Sequence, residues 1–402
     1  MEEIEHYDVV IIGGGPAGSS AARVTADGGY STLIVERKPK VGIPVLCGEF
    51  LPTETELQDI LPNSNRIERV CNVPKSMVLN RCRRIVLVSP SGHEYELPMR
   101  ARVIDRMAFD QYLADRAVNA GADLLSRTRF EERVGKNQVR LVSGNKSKIV
   151  KYATLVGADG ALSKVARNVP GLSQQEQNSL STSIQYTIEK KGFPSDRIYM
   201  FFGNMAPGGY AWVIPRGTME ANVGLGLRPA YADSGKSLRT YLHSFMHTSL
   251  IETIGIRGFR VKRRISAYIP VRGPVRNTVT TDALLVGDAA SHVMPTNGGG
   301  IPTALIGGDI AGEAIIDHFE TGAKLANYEK MWRSEFGREL TTSASLLLIA
   351  GIPMLSAGLT EWAMRFYGKR MLNDVIRCRV PYPFQHMTTP INFMTDMLKN
   401  LL

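Results

Sequence analysis

The sequence predicts an α/β protein in which a parallel-sheet domain is interrupted by an antiparallel-sheet domain and followed by a helical tail. Several apolar runs have the length of buried parallel strands and lead into small-residue turns; they lie at residues 7–12, 155–157 and 283–286. Four short runs between residues 183 and 227 are separated by Gly and Pro turns, which is typical of antiparallel strands. The predicted domains are residues 1–172 together with 273–330, residues 173–272, and a helical region at 331–402.

Composition limits the classes to which the protein can belong. A chain of 402 residues exceeds the size at which a single core stops growing, about 250 to 300 residues, so two interlocked domains are expected. The N-terminus shows no basic lead and no cleavage site, which predicts no signal peptide and a cytoplasmic location. The four cysteines form no CxxC pair, so neither a metal site nor a disulfide scaffold is predicted; they are Cys47, Cys71, Cys82 and Cys378.

The net charge of +10 suits an anionic partner, either nucleic acid or an acidic lipid surface. Neither a helix-turn-helix pattern nor an aromatic platform accompanies the basic residues, so nucleic-acid binding is not predicted. An anionic lipid headgroup remains the second interpretation of the charge.

The first apolar run ends in a glycine-rich turn that has the spacing of a dinucleotide site. In Gly13-Gly14-Gly15-Pro16-Ala17-Gly18, the first glycine permits the tight turn, Gly15 lets the backbone approach a pyrophosphate, and Gly18 lets the next helix pack closely. That helix points its N-terminus at the phosphates. A second run, at 31–35, ends in Glu36, where a carboxylate meets the hydroxyls of an adenine ribose; Glu36 and the adjacent Arg37 are predicted to contact the cofactor.

Two segments far downstream favour FAD over a nicotinamide cofactor, because a simple dehydrogenase would not need them. One strand ends in Ala158-Asp159-Gly160, and another ends in Gly287-Asp288, where the acid can accept a hydrogen bond from a ribityl hydroxyl. A loop follows at Gly298-Gly299-Gly300-Ile301, and its amides are suited to an anionic flavin edge. These segments therefore predict an FAD-dependent oxidoreductase with a Rossmann-like cofactor domain.

The same segments, with Asp105-Arg106 and Phe109-Asp110, resemble those of the p-hydroxybenzoate-hydroxylase-like flavoproteins. Within these, Pro44-Val45-Leu46-Cys47-Gly48-Glu49 and Gly209-Tyr210-Ala211-Trp212-Val213-Ile214-Pro215 resemble marks of the geranylgeranyl reductase group. The resemblance covers the chain from about Tyr7 to at least Lys330. It implies that Arg106, Cys47 and Gly48 lie near the flavin, and that the antiparallel sheet covers the ring.

Four residues are candidates for the chemistry under this resemblance. Tyr210 and Trp212 are two residues apart on a predicted strand, so both face one side; either they wall the substrate cavity or they pack an ordinary sheet face. Cys47 and Glu49 flank Gly48, and each is a candidate to relay a proton, to gate the ring or simply to pack.

The resemblance implies a reductase that saturates polyprenyl chains such as those of archaeal ether lipids, with an external electron donor that is ferredoxin, a deazaflavin or NADPH. A flavin monooxygenase or halogenase acting on an aromatic or polyketide substrate, and a lipid-binding protein that retains FAD structurally, are the alternatives. The apolar stretch at 346–355 is too short to span a bilayer and contains Pro353. It could line a prenyl tunnel, form a buried helix, or make peripheral membrane contact with Trp362, Arg365, Lys369 and Arg370 near the headgroups.

Overall fold

The computed structural model describes residues 4–176 and 179–382 of the chain. Within them the strands are β1 (Glu5–Ile12), β2 (Thr32–Val35), β3 (Phe50–Pro52), β4 (Val78–Val88), β5 (Glu94–Ile104), β6 (Asp123–Leu125), β7 (Arg129–Arg133), β8 (Gln138–Ser143), β9 (Lys146–Gly157), β10 (Leu180–Glu189), β11 (Arg197–Phe201), β12 (Tyr210–Pro215), β13 (Glu220–Leu227), β14 (Arg260–Pro270) and β15 (Ala283–Leu285). The α-helices are α1 (Pro16–Asp27), α2 (Glu54–Ile60), α3 (Ile67–Val70), α4 (Arg106–Asn119), α5 (Lys164–Asn168), α6 (Leu238–Met246), α7 (Ser249–Thr253), α8 (Ile301–Thr321), α9 (Asn327–Trp332), α10 (Arg338–Ala350) and α11 (Ala357–Ile376).

The first sheet has the order β6-β2-β1-β9-β8-β7, and β15 pairs with the end of β9. Strands β6, β2, β1, β9 and β15 are parallel neighbours, whereas β8 and β7 are antiparallel. Since β1, β9 and β15 run in the same direction, their carboxyl ends meet at one edge, which is where ligands bind in open α/β sheets. The three small-residue turns that follow these strands are thereby brought together.

Helices α1 and α8 pack against each other through small residues. A Cβ on Gly308 would lie 2.2 Å from the Ala17 carbonyl oxygen, and one on Gly312 would lie 2.5 Å from the Val24 Cβ. The absence of side chains at these two positions permits the close approach of the helices, which fixes both N-termini over the same edge of the first sheet.

The second sheet has the order β14-β10-β13-β12-β11-β4-β5-β3. The four runs predicted between residues 183 and 227 are strands, as expected, but only β11, β12 and β13 form a meander; β10 lies beyond β13 instead of beside β11. The sheet also takes in β3, β4 and β5, from a part of the chain that the predicted boundaries assign to the cofactor domain. The pairing of β4 with β11 joins residues more than 100 positions apart, which local patterns do not reveal. The domain boundaries themselves stay a prediction.

The C-terminal helices are tied to the body of the protein by a buried ion pair. Arg377 donates from Nη2 to Glu56 at 2.6 Å and from the same nitrogen to the Pro98 carbonyl at 2.6 Å. Both charged side chains are almost fully buried. Among the described residues no helix is both long and apolar enough to cross a bilayer. The predicted helical region extends to residue 402, of which 383–402 lie outside the described residues.

Candidate active site

A cavity of about 280 Å³ lies between the two sheets. The first sheet and its helices contribute the turns after β1, β9 and β15 and the loop before α8, while β10, β12 and β14 form the opposite wall. The lining includes Gly15, Pro16, Ala17, Ala158, Gly160, Gly287, Asp288, Gly298, Gly300, Ile301, Leu46, Cys47, Gly48, Arg106, Gln185, Trp212, Ile265 and Ala267.

Two helix N-termini border this cavity. The N-cap residues of α1 and α8 are Gly15 and Gly300, and neither helix has a side-chain cap or an acidic residue in its first turn. First-turn amides without such partners, together with the helix dipole, form an anion site. The cavity therefore offers two positions for oxyanions or carbonyl oxygens. This fits a flavin dinucleotide whose central pyrophosphate lies at one helix N-terminus and whose flavin ring lies at the other.

The glycines of the first turn are required by contacts with backbone atoms. A Cβ on Gly13 would lie 2.3 Å from the Ala158 carbonyl oxygen, and one on Gly18 would lie 1.9 Å from the Gly13 carbonyl oxygen. By contrast, a Cβ on Gly15 would meet no protein atom within 4 Å and would project into open space at the cavity wall. Gly13 and Gly18 thus serve the fold, and Gly15 keeps the cavity clear for a ligand.

Glu36 lies at the end of β2 and is almost fully buried. Its two carboxylate oxygens accept hydrogen bonds from the amides of Gly14, at 3.0 Å, and Lys38, at 2.9 Å. The carboxylate therefore ties the glycine turn to β2. Arg37 is exposed, and neither residue is among those that line the cavity.

The two predicted acidic residues downstream have different surroundings. Asp159 accepts from Ser163 Oγ at 2.6 Å and from the amide of Lys164 at 2.6 Å, so it caps α5; its neighbours Ala158 and Gly160 line the cavity instead. Asp288 lines the cavity, and within the described parts of the chain its carboxylate has no hydrogen-bond donor. Burial raises the pKa of Asp288 to about 6, an effect that the positive charge of Arg106 opposes.

Arg106 is the first residue of α4 and binds Asp110 through two parallel hydrogen bonds of 2.8 and 2.9 Å. Burial by itself lowers the pKa of this guanidinium, but the Asp110 carboxylate and the nearby Cys47 thiol raise it above its ordinary value. Arg106 is thus a fixed positive charge at the cavity wall, held in place by Asp110 and close to Cys47.

A hydrogen-bond chain joins the wall of the second sheet to the Cys47 loop. Trp212 donates from Nε1 to Gln185 Oε1 at 2.9 Å, and Gln185 donates from Nε2 to the Cys47 carbonyl at 3.1 Å. The indole lies against Gly224, where a Cβ would come within 2.6 Å of the ring. This arrangement fixes both the indole plane and the position of the loop.

Tyr210 and Trp212 lie on the same face of β12, with ring centroids 5.9 Å apart. The Tyr210 hydroxyl donates to the Asn297 carbonyl at 2.5 Å, and burial raises its pKa. Tyr210 thereby anchors the Gly298–Gly300 loop, in which Gly298 and Gly300 face the cavity while the Gly299 amide is bonded to the Asn297 side chain.

Glu49 is fully buried but does not line the cavity. Its Oε2 lies 2.7 Å from Arg216 Nε, 3.4 Å from an Arg263 nitrogen and 2.7 Å from Asn222 Nδ2. The residue has a φ of 68°, in the left-handed region. These contacts hold Glu49 in that conformation, so that its side chain points into the second sheet while Cys47, two residues earlier, faces the cavity.

A second cavity, of about 390 Å³, lies between the C-terminal helices and the second sheet. Its lining is almost entirely apolar and comes mainly from α10, α11 and the turn between them, with the end of β4, the residue after β11 and Thr296 from the loop before α8. The residues include Leu87, Phe202, Thr296, Leu346, Leu347, Ile349, Ala350, Met354, Ala363, Met364, Phe366, Met371, Leu372 and Ile376. Its volume is within the range of small-molecule sites.

Sequence patterns missed two groups of residues at these sites. Gln185 is buried in the middle of β10, but the same strand also carries Ser181, Ser183 and Thr187, so the sequence did not single Gln185 out as a buried hydrogen-bond partner. The partners of Glu49, which are Arg216, Asn222 and Arg263, carried no local signal because they come from three other segments.

Comparison with known proteins agrees with this arrangement. Residues 6–330 match the FAD binding domain family. A digeranylgeranylglycerophospholipid reductase of Methanopyrus kandleri is 34% identical over 342 residues, which is 82% of this chain and 87% of the relative. A geranylgeranyl bacteriochlorophyll reductase-like protein from Thermoplasma acidophilum has a similar structure, with a TM-score of 0.78 over 100% of both chains at 24% identity. A flavin-dependent brominase has the same fold, with a TM-score of 0.71 at 17% identity over 99% of this chain and 100% of the brominase.

The predicted fold class, FAD and the family are confirmed. The chain is an FAD-dependent oxidoreductase that belongs to the FAD binding domain family and, within it, to the geranylgeranyl reductase group.

Proposed function

We propose that the protein is an FAD-dependent reductase that saturates double bonds of geranylgeranyl or other polyprenyl chains, in membrane ether lipids or their precursors. The observation that carries this proposal is that two cavities lie side by side. We call the cavity between the sheets the cofactor cavity, and the cavity under the C-terminal helices the apolar cavity. Phe202 lines the apolar cavity and packs 6.0 Å from Tyr210, which in turn packs against Trp212 at the cofactor cavity. A hydrocarbon chain held in the one cavity would therefore reach the other past these rings. The reductase named among the relatives supports the same substrate class.

We assign the cofactor to the cavity between the sheets. The turn of Gly13, Gly15, Pro16, Ala17 and Gly18 would hold the pyrophosphate, with Glu36 and Arg37 on the adenosine side. Asp288 would accept a hydrogen bond from a ribityl hydroxyl. Bound and reduced, FAD supplies the hydride that an alkene carbon accepts. The remaining residues that would contact it line the cavity, and they are Cys47, Gly48, Arg106, Ala158, Gly160, Gly287, Gly298, Gly300 and Ile301. Asp159 and Gly299 would support these contacts through their hydrogen bonds within the protein.

Cys47 is the proposed proton donor. Its thiol lines the cavity, and loss of the proton from Sγ would leave a thiolate beside the fixed charge of Arg106. Trp212 would pack against the alkene and hold it next to the flavin ring. Tyr210 would position the Gly298–Gly300 loop through its hydrogen bond to Asn297. Glu49 acts on the chemistry indirectly, by holding the Cys47 loop through Arg216 and Asn222.

Each double bond takes up two electrons, so turnover requires an external donor. We infer a ferredoxin, a deazaflavin or NADPH as that donor. These share the capacity to return the FAD to its reduced state after each saturation.

The test is anaerobic reduction of the purified protein followed by addition of a geranylgeranyl phospholipid. Reoxidation of the flavin together with a gain of hydrogen pairs in the mass spectrum of the lipid is expected. The proposal is overturned if the flavin stays reduced until oxygen is admitted and an aromatic or polyketide substrate is then hydroxylated or halogenated, because this would establish the monooxygenase or halogenase alternative. Binding of the lipid without any reoxidation would make the protein a lipid carrier.

A further inference from the structure

The C-terminal helices carry a cluster of exposed apolar side chains, which we call the apolar patch. It comprises Ile352, Leu355, Leu359, Trp362 and Phe366, which are 63%, 68%, 47%, 62% and 63% exposed. Single exposed apolar residues are ordinary, but five within fifteen positions of one helical region are not. Such a cluster indicates an interaction site for a protein or a membrane.

The patch is built as one surface. Leu359, Trp362 and Phe366 have the spacing of one face of α11, and the rings of Trp362 and Phe366 stack at 5.3 Å with an angle of 11° between their planes. Ile352 and Leu355 come from the turn that precedes α11. Ser356 caps the helix by accepting from the Leu359 amide, which fixes the turn relative to the helix face.

Basic side chains border the patch along α11. Lys369 and Arg370 are exposed and follow Phe366 in the chain, just beyond a break in α11 at Gly368, whose φ is 62°. Arg370 lies over the Tyr382 ring, 4.5 Å from its centroid, and within the described residues neither cation has an acidic partner. An apolar face that combines Trp and Phe with flanking Lys and Arg is the composition of a helix that lies in the interface of an anionic membrane.

The patch also lies directly over the apolar cavity. Phe366 belongs to both, and Pro353 and Met354, which line the cavity, lie between Ile352 and Leu355 in the chain. A lipid that entered the cavity from a bilayer would thus cross apolar side chains throughout and would leave its charged headgroup near the basic border. A water-exposed route would require the hydrocarbon chain to be hydrated on the way.

We propose that the apolar patch docks the protein onto the surface of an anionic lipid bilayer, from which the substrate enters the apolar cavity. The route for the substrate rests on the proposed reductase function, whereas the docking does not. Ile352, Leu355, Leu359 and Trp362 would insert among the acyl chains, and Lys369 and Arg370 would lie at the headgroups.

The first experiment uses the fluorescence of Trp362 to report whether this side chain enters the bilayer. The chain has three tryptophans, of which Trp332 is fully buried and Trp212 lies in the wall of the cofactor cavity. Vesicles of phosphatidylglycerol and phosphatidylcholine brominated on the acyl chains should quench the Trp362 emission and shift it to the blue, and the shift should be absent from a Trp362→Phe variant. If Trp362 is already shielded from acrylamide without vesicles, the C-terminal segment or a second copy of the chain covers the patch, and the proposal is wrong.

The second experiment compares matched variants in vesicle flotation. Ile352→Glu/Leu355→Glu should abolish flotation, because both side chains would have to carry a charge into the acyl region. Val118→Glu/Met219→Glu, at positions 41% and 44% exposed elsewhere on the protein, should float like the natural chain. Lys369→Ala and Arg370→Ala should each weaken binding to anionic vesicles by roughly fivefold, and neither should matter on neutral vesicles. Equal flotation of the two double variants would overturn the proposal.

The same variants separate docking from catalysis. Neither Ile352 nor Leu355 lines a cavity, so their double variant should reduce substrate dispersed in detergent at the ordinary rate and fail only with substrate in vesicles. If no lipid is reduced in either form while Trp362 is still quenched by brominated vesicles, the reductase assignment fails and the docking surface stands. If the double variant reduces vesicle lipid at the full rate, docking by the patch is wrong.

Discussion

Cys47 is a half-buried thiol that faces the cofactor cavity next to Arg106. Replacement by Ala should lower turnover by about 100-fold or more, the usual contribution of a positioned acid, while FAD stays bound. Replacement by Ser keeps a hydroxyl of similar size and should recover part of the loss. Anaerobic flavin reoxidation by the lipid measures both variants, and Cys82→Ala, at a buried thiol outside the cavity, is the control. Unchanged turnover in Cys47→Ala would remove this thiol from the mechanism.

We expect Asp288 to make FAD binding depend on pH. Burial raises the pKa of Asp288 to about 6, so the carboxyl is protonated below that pH before FAD binds. Since a ribityl hydroxyl prefers the ionised acceptor, FAD affinity should fall as the pH drops below about 6, by up to about tenfold per pH unit. Fluorescence titration of the FAD-free protein checks this. Asp288→Asn should bind FAD more weakly and lose the step, and a step of the same size in the variant would assign the titration to another group.

Glu49 is buried, and two partly exposed arginines neutralise its charge. Glu49→Gln leaves Arg216 and Arg263 facing a neutral side chain in a largely dehydrated site, which should cost about 3 kcal/mol in the free energy of unfolding. Glu220 is the second carboxylate that pairs with Arg216, and its side chain is partly exposed. Glu220→Gln should therefore lower the free energy of unfolding by under about 1 kcal/mol. Urea unfolding compares the two. Equal losses would mean that burial of Glu49 does not govern the stability of its loop.

In the glycine turn between β1 and α1, Gly18 is needed for folding and Gly15 is expected to be needed for cofactor binding. Gly18→Ala would drive a Cβ into the Gly13 carbonyl, so α1 must move away from β1, and both stability and FAD affinity should fall. Gly15→Ala meets no protein atom, so stability should hardly change, while the added methyl group occupies the space in front of the helix N-terminus and FAD binding should weaken. Thermal unfolding of the FAD-free variants and FAD titration measure the two effects. If Gly15→Ala binds FAD normally, the pyrophosphate does not approach this position.

The whole molecule is held together by contacts between distant segments, of which Glu56 and Arg377 form the most buried ionic example. Glu56→Gln should leave Arg377 without its charge partner and loosen the C-terminal helices that enclose the apolar cavity. Limited proteolysis should then cut faster between residues 351 and 382, and the KM for lipid should rise more than kcat falls. Glu132→Gln, which breaks an exposed pair with Arg140, should change neither quantity. Unchanged proteolysis in Glu56→Gln would show that apolar packing alone holds these helices.

Much of the cofactor half could be predicted because its signals are local. A buried strand that ends in a glycine turn and opens a helix is encoded within about twenty residues, so the positions of β1 and β2 agree with the predicted runs at 7–12 and 31–35 to within about two residues. The turns after β9 and β15 could be recognised for the same reason. The sequence motifs predict that all of these turns hold one cofactor, and the structure brings Gly15, Gly160 and Asp288 to one cavity.

The sequence by itself determined the fold class, the cofactor and the family of this protein, because each depends on short motifs whose backbone geometry admits few residue types. Only the tertiary structure decided which partners the polar residues in and around those motifs contact. Glu49 turns into the second sheet towards Arg216, Asp159 caps a helix, and Gln185 connects Trp212 to the Cys47 loop. Each of these outcomes is set by a partner from another segment, and the energy of a buried polar group depends on that partner more than on its own neighbours in the chain.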